Sequence, residues 1–395
     1  MRDSKPPLES SVLSVPIGQL PPLGVVPRQM QAYVIRPDRF GPPAESFQRE
    51  TLPVWEIGPD EVLVLVMAAG VNYNGIWAGL GQPVDVLKGH GLDHHVPGSD
   101  VAGVVWAVGS SVQDWKVGDE VVAHCNHLLE PGSSDRQTIW GYETPDGSMA
   151  QYCRVQGQQL LRKPEQLTWE EAASYGLVYF TAHRMLLDRA EIKPGEDVLV
   201  WGGAGGLGVF AIQLCKAAGC RVIAVVSSEE KAALAPGEDE AQGAKRGKAM
   251  RAFGKRIWEI LGERKSVEVV FEHVGQSTFP ASVWLAARYG RIVICGATTG
   301  YDLTFDVRHL WMKQKRIIGS HFADADSSRR ANRLIEQGLV KPVMTEYFPW
   351  DEIPAAHQAM YENRILGTVS CLVGAPRPGL TNLAETRKAI AEERS

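Results

Sequence analysis

The sequence predicts an α/β chain of two domains, a β-rich, barrel-like unit and a doubly wound parallel sheet. Three observations carry this. At 395 residues the chain is longer than one small core organises, so two domains are the natural prior. From about Gln31 to Val155, short strand-like runs are separated by dense Gly, Pro and Asp punctuation with few helical periods. From Thr168 onward strand-like and helix-like segments alternate, the order of a parallel sheet with crossover helices.

In chain order, Met1 to Pro27 is rich in Pro and Ser and lacks a basic region followed by an apolar core, so it reads as a surface-hugging or poorly ordered arm, not a secretion signal. Val62–Met67 is a strand run. Val101–Val108 alternates with glycine, and Glu120–His124 follows the turn Val117-Gly-Asp119. Thr168-Trp-Glu-Glu171 is a capping-box signature, with Thr168 as N-cap and Glu171 three residues on. Asp197–Trp201, Leu207–Ala218, Arg221–Val226, Val267–Glu272, Ala281–Ala287, Arg291–Cys295 and Ile317–Ser320 supply the alternation. Glu229–Arg251 is Ala-, Glu-, Lys- and Gly-rich without a strand-like run, which predicts surface helix or loop. After Lys341 short strands return around Leu366–Val373, and Pro376–Ser395 is a charged, helix-prone tail. The expected domains are an arm over 1–28, the barrel-like unit over 29–175 and 342–395, and the parallel-sheet unit over 176–341.

Hydrophobic residues make up 44% and charged residues 22%, ordinary soluble composition. A formal net charge of -5 argues against nucleic acid or an anionic membrane as the main partner. No stretch approaches the ~20 apolar residues that span a bilayer. The six cysteines, Cys125, Cys153, Cys215, Cys220, Cys295 and Cys371, sit in apolar contexts without a C-x-x-C pair. Reduced buried thiols in a cytoplasmic protein are the expectation, with no bound metal.

The strongest local signal is Val198-Leu-Val-Trp-Gly-Gly-Ala-Gly-Gly-Leu-Gly208. Gly203, Gly205 and Gly208 satisfy G-x-G-x-x-G between a strand and an apolar helix, the context a dinucleotide site needs. The loop Gly203, Ala204, Gly205, Gly206, Leu207 and Gly208 lets backbone approach a pyrophosphate at a helix N-terminus. At the end of the next strand stand Ser227 and Ser228, with Lys231 one turn on. Hydroxyl and ammonium donors suit a 2′-phosphate, which favours NADPH. The alternative puts Glu229 on the ribose hydroxyls and leaves Lys231 a solvated surface lysine.

Over roughly residues 30 to 375 the order of elements resembles the medium-chain dehydrogenase/reductase superfamily, which implies a GroES-like barrel and a Rossmann domain. The places of its zinc ligands read Val71-Asn-Tyr-Asn74 and Pro97-Gly-Ser-Asp100, without thiolate or imidazole. Several segments resemble the crotonyl-CoA carboxylase/reductases. These are Val71-Asn-Tyr-Asn-Gly-Ile-Trp77, Ile139-Trp-Gly-Tyr-Glu-Thr-Pro-Asp-Gly147, Leu167-Thr-Trp-Glu-Glu-Ala-Ala173, Val270-Phe-Glu-His273, Leu310-Trp-Met312 and Lys315-Arg-Ile-Ile-Gly-Ser-His-Phe-Ala323. The resemblance implies NADPH-dependent reduction of a short α,β-unsaturated acyl-CoA with capture of CO2 by the resulting enolate. It implies that Asn74, Tyr142, Glu143 and His321 hold the CO2, that Arg308 meets the CoA moiety, and that the enzyme is a homodimer or homotetramer.

The residue types fit that chemistry. CO2 is uncharged, so neutral donors, the Asn74 amide and the His321 imidazole, strengthen as carboxylate charge develops. Glu143 would orient His321, directly or through water, and Tyr142 would wall the pocket against protons that quench the enolate. Phe322, with Tyr179 and Phe180, is expected to close the acyl pocket. Two alternatives stay open: a reductase that only protonates the enolate, and a non-catalytic NADPH-binding protein. Each site residue also has a bland reading, Asn74 as a turn cap, Tyr142 as core, His321 as a structural histidine and Arg308 as one half of a surface ion pair.

Overall fold

A computed structural model describes residues 11–130, 137–226 and 240–394 of the chain. Contacts divide it into two units, one of Met1–Leu177, Asp324–Glu336 and Met344–Ser395, the other of Val178–Ala323 and Gln337–Val343.

The first unit is built on the most apolar run of the sequence. The described residues form sixteen strands, of which β3 (Glu61–Gly70) is buried in all but its first residue. Before it, β1 (Gln29–Val34) and β2 (Gln48–Pro53) form an antiparallel hairpin. After it come β4 (Val101–Val108), β5 (Glu120–Ala123), β6 (Asn126–Leu128), β7 (Gln137–Ile139), β8 (Tyr152–Gln156) and β9 (Leu160–Arg162). With the late strands β15 (Met344–Phe348) and β16 (Thr368–Leu372), a seven-stranded sheet runs β15-β16-β3-β4-β5-β9, and β8 adds to β3. Val62, Val64, Val66, Val101, Val105 and Trp140 form its core. The arm is surface-hugging where described: Val25 and Val15 carbonyls accept Trp106 Nε1 and Gln151 Nε2, each at 2.9 Å.

The capping box forms as expected. Thr168 Oγ1 accepts Glu171 N–H at 3.3 Å and Glu171 Oε2 accepts Thr168 N–H at 3.0 Å. Trp169 on that helix donates to Thr386 Oγ1 at 3.0 Å, so the charged tail is a docked helix, Leu383–Glu393, capped by Asn382.

The second unit is a five-stranded parallel sheet in the order β11-β10-β12-β13-β14. Its strands are β10 (Asp197–Trp201), β11 (Arg221–Val225), β12 (Val267–Glu272), β13 (Ala286–Ile294) and β14 (Arg316–Gly319). Of Glu229–Arg251, expected to be surface helix or loop, residues 229–239 lie outside the described residues and the rest belongs to the helix Glu240–Leu261. Leu199, Trp201, Ile223, Val270, Phe279 and Ile292 form the core.

Two expectations differ from what forms. Ala281–Ala287 is not one element: a helix ends at Leu285 and β13 opens at Ala286, earlier than Arg291. Polar, glycine-containing residues and a positive φ of 62° at Tyr289 hide the start of that strand. The helix Ala325–Glu336 groups with the first unit, although 176–341 was expected to form the second. Asn332 explains it, accepting from Tyr175 Oη at 2.7 Å and donating to the Arg162 carbonyl at 3.0 Å.

Candidate functional site

The glycine loop forms where β10 meets the helix Gly206–Ala217. Each glycine has its own reason. A Cβ on Gly208 would lie 2.2 Å from the Gly202 carbonyl oxygen, and one on Gly203 would lie 2.9 Å from Ala224 Cβ. Gly205 has only the Gly202 oxygen near it, at 3.5 Å, so it is the glycine that leaves room for a ligand. Gly205 caps the helix without a side chain, and the first-turn amides from Gly206, Leu207 and Gly208 lack intrahelical acceptors. With half-buried Ala204 they form a cradle suited to a pyrophosphate.

This loop is held from behind. Gly203 N–H donates to the Val225 carbonyl at 2.8 Å, and His273 Nε2 meets the Trp201 carbonyl at 2.9 Å. Glu272, at 0% exposure, accepts from Val274 N–H (2.8 Å), Gly275 N–H (3.1 Å), Thr278 Oγ1 (2.9 Å) and Ser282 Oγ (2.6 Å). Ser282 Oγ in turn accepts from Trp201 Nε1 at 2.8 Å. Burial raises the Glu272 carboxyl above its ordinary range, and these donors oppose the rise. Ser227, Ser228 and Lys231 lie outside the described residues.

In the first unit Asn74 sits in the first turn of the helix Tyr73–Leu80, 7% exposed, its Nδ2 donating to Ser99 Oγ at 3.3 Å. Asn72, the N-cap, gives its side chain to Asp100 Oδ2 at 2.9 Å. Asp100 is enclosed, also accepts from Leu177 N–H, and is pushed up to about 7 by burial against those two donors. Tyr142 and Glu143 follow β7. Tyr142 is 6% exposed, its ring 6.4 Å from that of Trp77. Glu143 Oε2 accepts Ile139 N–H at 2.7 Å, so one oxygen closes its own turn.

In the second unit His321 is exposed, its ring 4.1 Å from that of Phe322, which is buried with φ of 25°. Arg308 makes a surface ion pair, two-pronged onto Asp306 at 2.7–3.1 Å, that holds the Asp306 carboxyl down at about 2. Tyr179 and Phe180 are 0% and 1% exposed, and Tyr179 packs on Phe210 of the helix Gly206–Ala217 at 4.9 Å. They are core residues of this unit.

Asn72, Ser99, Asp100, Glu272 and His273 had no role expected from the sequence. A signal was present: Asn72, Glu272 and His273 close apolar strand runs, and Ser99 and Asp100 stand just before one. Among the described residues no three His, Cys, Asp or Glu come together as a metal-ligating set.

Comparison with known proteins gives two family matches, Alcohol dehydrogenase GroES-like domain over residues 58–165 and Zinc-binding dehydrogenase over residues 206–337. The chain is 48% identical to a crotonyl-CoA carboxylase/reductase of Cereibacter sphaeroides, over 94% of each chain. It is 41% identical to a crotonyl-CoA reductase of Streptomyces avermitilis, over 88% of this chain and 86% of that one. Among solved structures, a crotonyl-CoA carboxylase/reductase superposes with a TM-score of 0.89 at 47% identity, covering 96% of each chain. The 2-octenoyl-CoA carboxylase reductase CinF, in complex with NADP and 2-octenoyl-CoA, superposes at 0.84 with 36% identity over 93% of each chain.

Proposed function

The chain belongs to the crotonyl-CoA carboxylase/reductases of the medium-chain dehydrogenase/reductase superfamily, and on that premise we propose that it reductively carboxylates a short enoyl-CoA. Crotonyl-CoA and CO2 give ethylmalonyl-CoA. The observation that carries this is 48% identity with a carboxylase/reductase across nearly the whole of both chains. The glycine cradle fits the cofactor independently, because it keeps Gly205 open and leaves helix amides free.

Bound NADPH supplies the hydride that reaches the β-carbon of the acyl chain. The chain's own residues then govern the fate of the α-carbon, where the enolate forms. Asn74 and His321 donate to the CO2 oxygens as they gain charge. Glu143 orients His321, and Tyr142 keeps water from protonating the enolate. Ser227, Ser228 and Lys231 receive the 2′-phosphate, Arg308 meets the CoA moiety, and Phe322 limits the acyl chain to four carbons. The CO2 roles rest on the matched motifs, the Arg308 role on the family resemblance, and the 2′-phosphate roles on hydroxyl and ammonium donors at a strand end.

A homodimer or homotetramer is supported by β14, an edge strand with Tyr289, Trp311, Met312 and Ile317 exposed around it. A cytoplasmic location is supported by six free cysteines. A reductase without carboxylation is the second reading, favoured by the name crotonyl-CoA reductase borne by the Streptomyces relatives. The test is NADPH oxidation with crotonyl-CoA, with and without bicarbonate, followed by product masses. Ethylmalonyl-CoA supports carboxylation, butyryl-CoA alone supports the second reading, and no NADPH oxidation rejects an enzyme of this type.

A further inference from the structure

One short turn, Pro97-Gly-Ser-Asp100, touches every element of the first unit that carries a proposed CO2 residue. Gly98 N–H donates to the Gly141 carbonyl at 3.0 Å, one residue before Tyr142. The approach is close enough that a Cβ on Gly141 would lie 1.9 Å from the Gly98 oxygen, and both glycines have positive φ, 119° and 71°. Ser99 Oγ receives the Asn74 amide. Asp100 receives the Asn72 amide and Leu177 N–H, while its carbonyl accepts Ser148 Oγ at 2.6 Å and Gly70 N–H at 3.2 Å.

Ser99 and Asp100 are each 1% exposed, so these bonds form away from water. A buried amide that loses its acceptor turns to find another. The Asn74 carboxamide is held at one corner by Ser99, which leaves one N–H and the carbonyl oxygen for a ligand. If that anchor is lost, the remaining N–H has no fixed direction. Asp100 acts one step further back, holding the N-cap of the helix on which Asn74 stands.

We propose that Ser99 is a positioning residue for carboxylation, its hydroxyl aiming the Asn74 amide at CO2, with Asp100 steadying the helix start through Asn72. This rests on the reading of Asn74 as a CO2 donor. Reduction needs no aimed amide, so the effect falls on the choice between CO2 and a proton at the α-carbon.

The test uses the full-length enzyme with NADPH, crotonyl-CoA and bicarbonate, and reads the ratio of ethylmalonyl-CoA to butyryl-CoA together with KM for CO2. Ser99→Ala should lower that ratio about threefold to tenfold, the effect of one buried hydrogen bond. KM for CO2 should rise, and crotonyl-CoA reduction should fall less than carboxylation. Ser99→Cys, close in size but a weak acceptor, should fall between parent and Ser99→Ala, and it replaces Ser99→Ala should that variant not fold. In an Asn74→Leu background Ser99→Ala should change the ratio no further, since both act through one amide. An unchanged ratio and CO2 KM in Ser99→Ala or Ser99→Cys, or additive losses in the double variant, overturn the proposal. A parent that makes only butyryl-CoA instead rejects the carboxylase reading itself, and this proposal with it.

Discussion

Gly208→Ala should damage the protein although it replaces glycine in a helix, where alanine alone would add about 1 kcal/mol of helix propensity. The new Cβ would sit 2.2 Å from the Gly202 carbonyl oxygen and 2.6 Å from Gly203 Cα. Those are backbone atoms at the end of β10, so no rotamer change relieves the overlap. Overpacking of this kind costs typically about 1–3 kcal/mol, and here it exceeds the propensity gain. We expect a net loss of about 1–2 kcal/mol in urea unfolding and NADPH binding weakened about tenfold or more, followed by cofactor fluorescence. Gly205→Ala is the contrast, because its Cβ would meet only the Gly202 oxygen at an ordinary 3.5 Å. Its stability should stay within about 1 kcal/mol of the parent while NADPH binding weakens, since the methyl enters the space left for the pyrophosphate. A Gly208→Ala protein as stable as the parent, with unchanged NADPH affinity, would refute the steric argument.

Three further outcomes follow from other parts of the chain. Lys231→Glu should weaken NADPH by about 1–3 kcal/mol and leave NADH unchanged, measured by titration of each cofactor; equal losses for the two would remove Lys231 from the 2′-phosphate. Asp100 is raised from 3.8 to about 7 by burial, so its contribution to stability is complete below about pH 4 and is lost as pH rises through 7. Asp100→Asn should flatten that fall, worth up to about 4 kcal/mol, and unfolding curves of parent and variant that drop in parallel from pH 5 to 8 would contradict it. Phe322→Gly should raise kcat/KM for octenoyl-CoA relative to crotonyl-CoA, at about 0.8 kcal/mol per methylene newly accommodated. A parent that already turns over the two equally well would refute the pocket assignment.

Strands were legible where an apolar run ends on punctuation. Val101–Val108, Asp197–Trp201 and Val267–Glu272 form with the expected ends. The capping box was legible because its two bonds are local. The opening of β13 was not, since Tyr289 leaves the extended region and polar residues interrupt the run. Nor was the allegiance of Ala325–Glu336, which depends on Asn332 meeting Tyr175, 157 residues away. The same limit hid Ser99 and Asp100. Their types were plain in the sequence, but a hydroxyl's partner 25 positions away depends on the fold of two strands and a helix. The candidate CO2 residues came from matched motifs and the candidate cofactor residues from spacing and residue type, whereas the parts that hold Asn74 and the glycine loop came only from the structure.

The central claim is that this chain directs its enolate to CO2 and not to a proton. It is tested most directly by running the parent, Asn74→Leu and His321→Asn with NADPH, crotonyl-CoA and saturating isotopically labelled bicarbonate, and reading the acyl-CoA products by mass. The parent should carry one label in ethylmalonyl-CoA. The two variants should shift about fivefold to a hundredfold toward unlabelled butyryl-CoA, with NADPH oxidation falling less than label incorporation. Unlabelled butyryl-CoA as the parent's sole product would contradict the account.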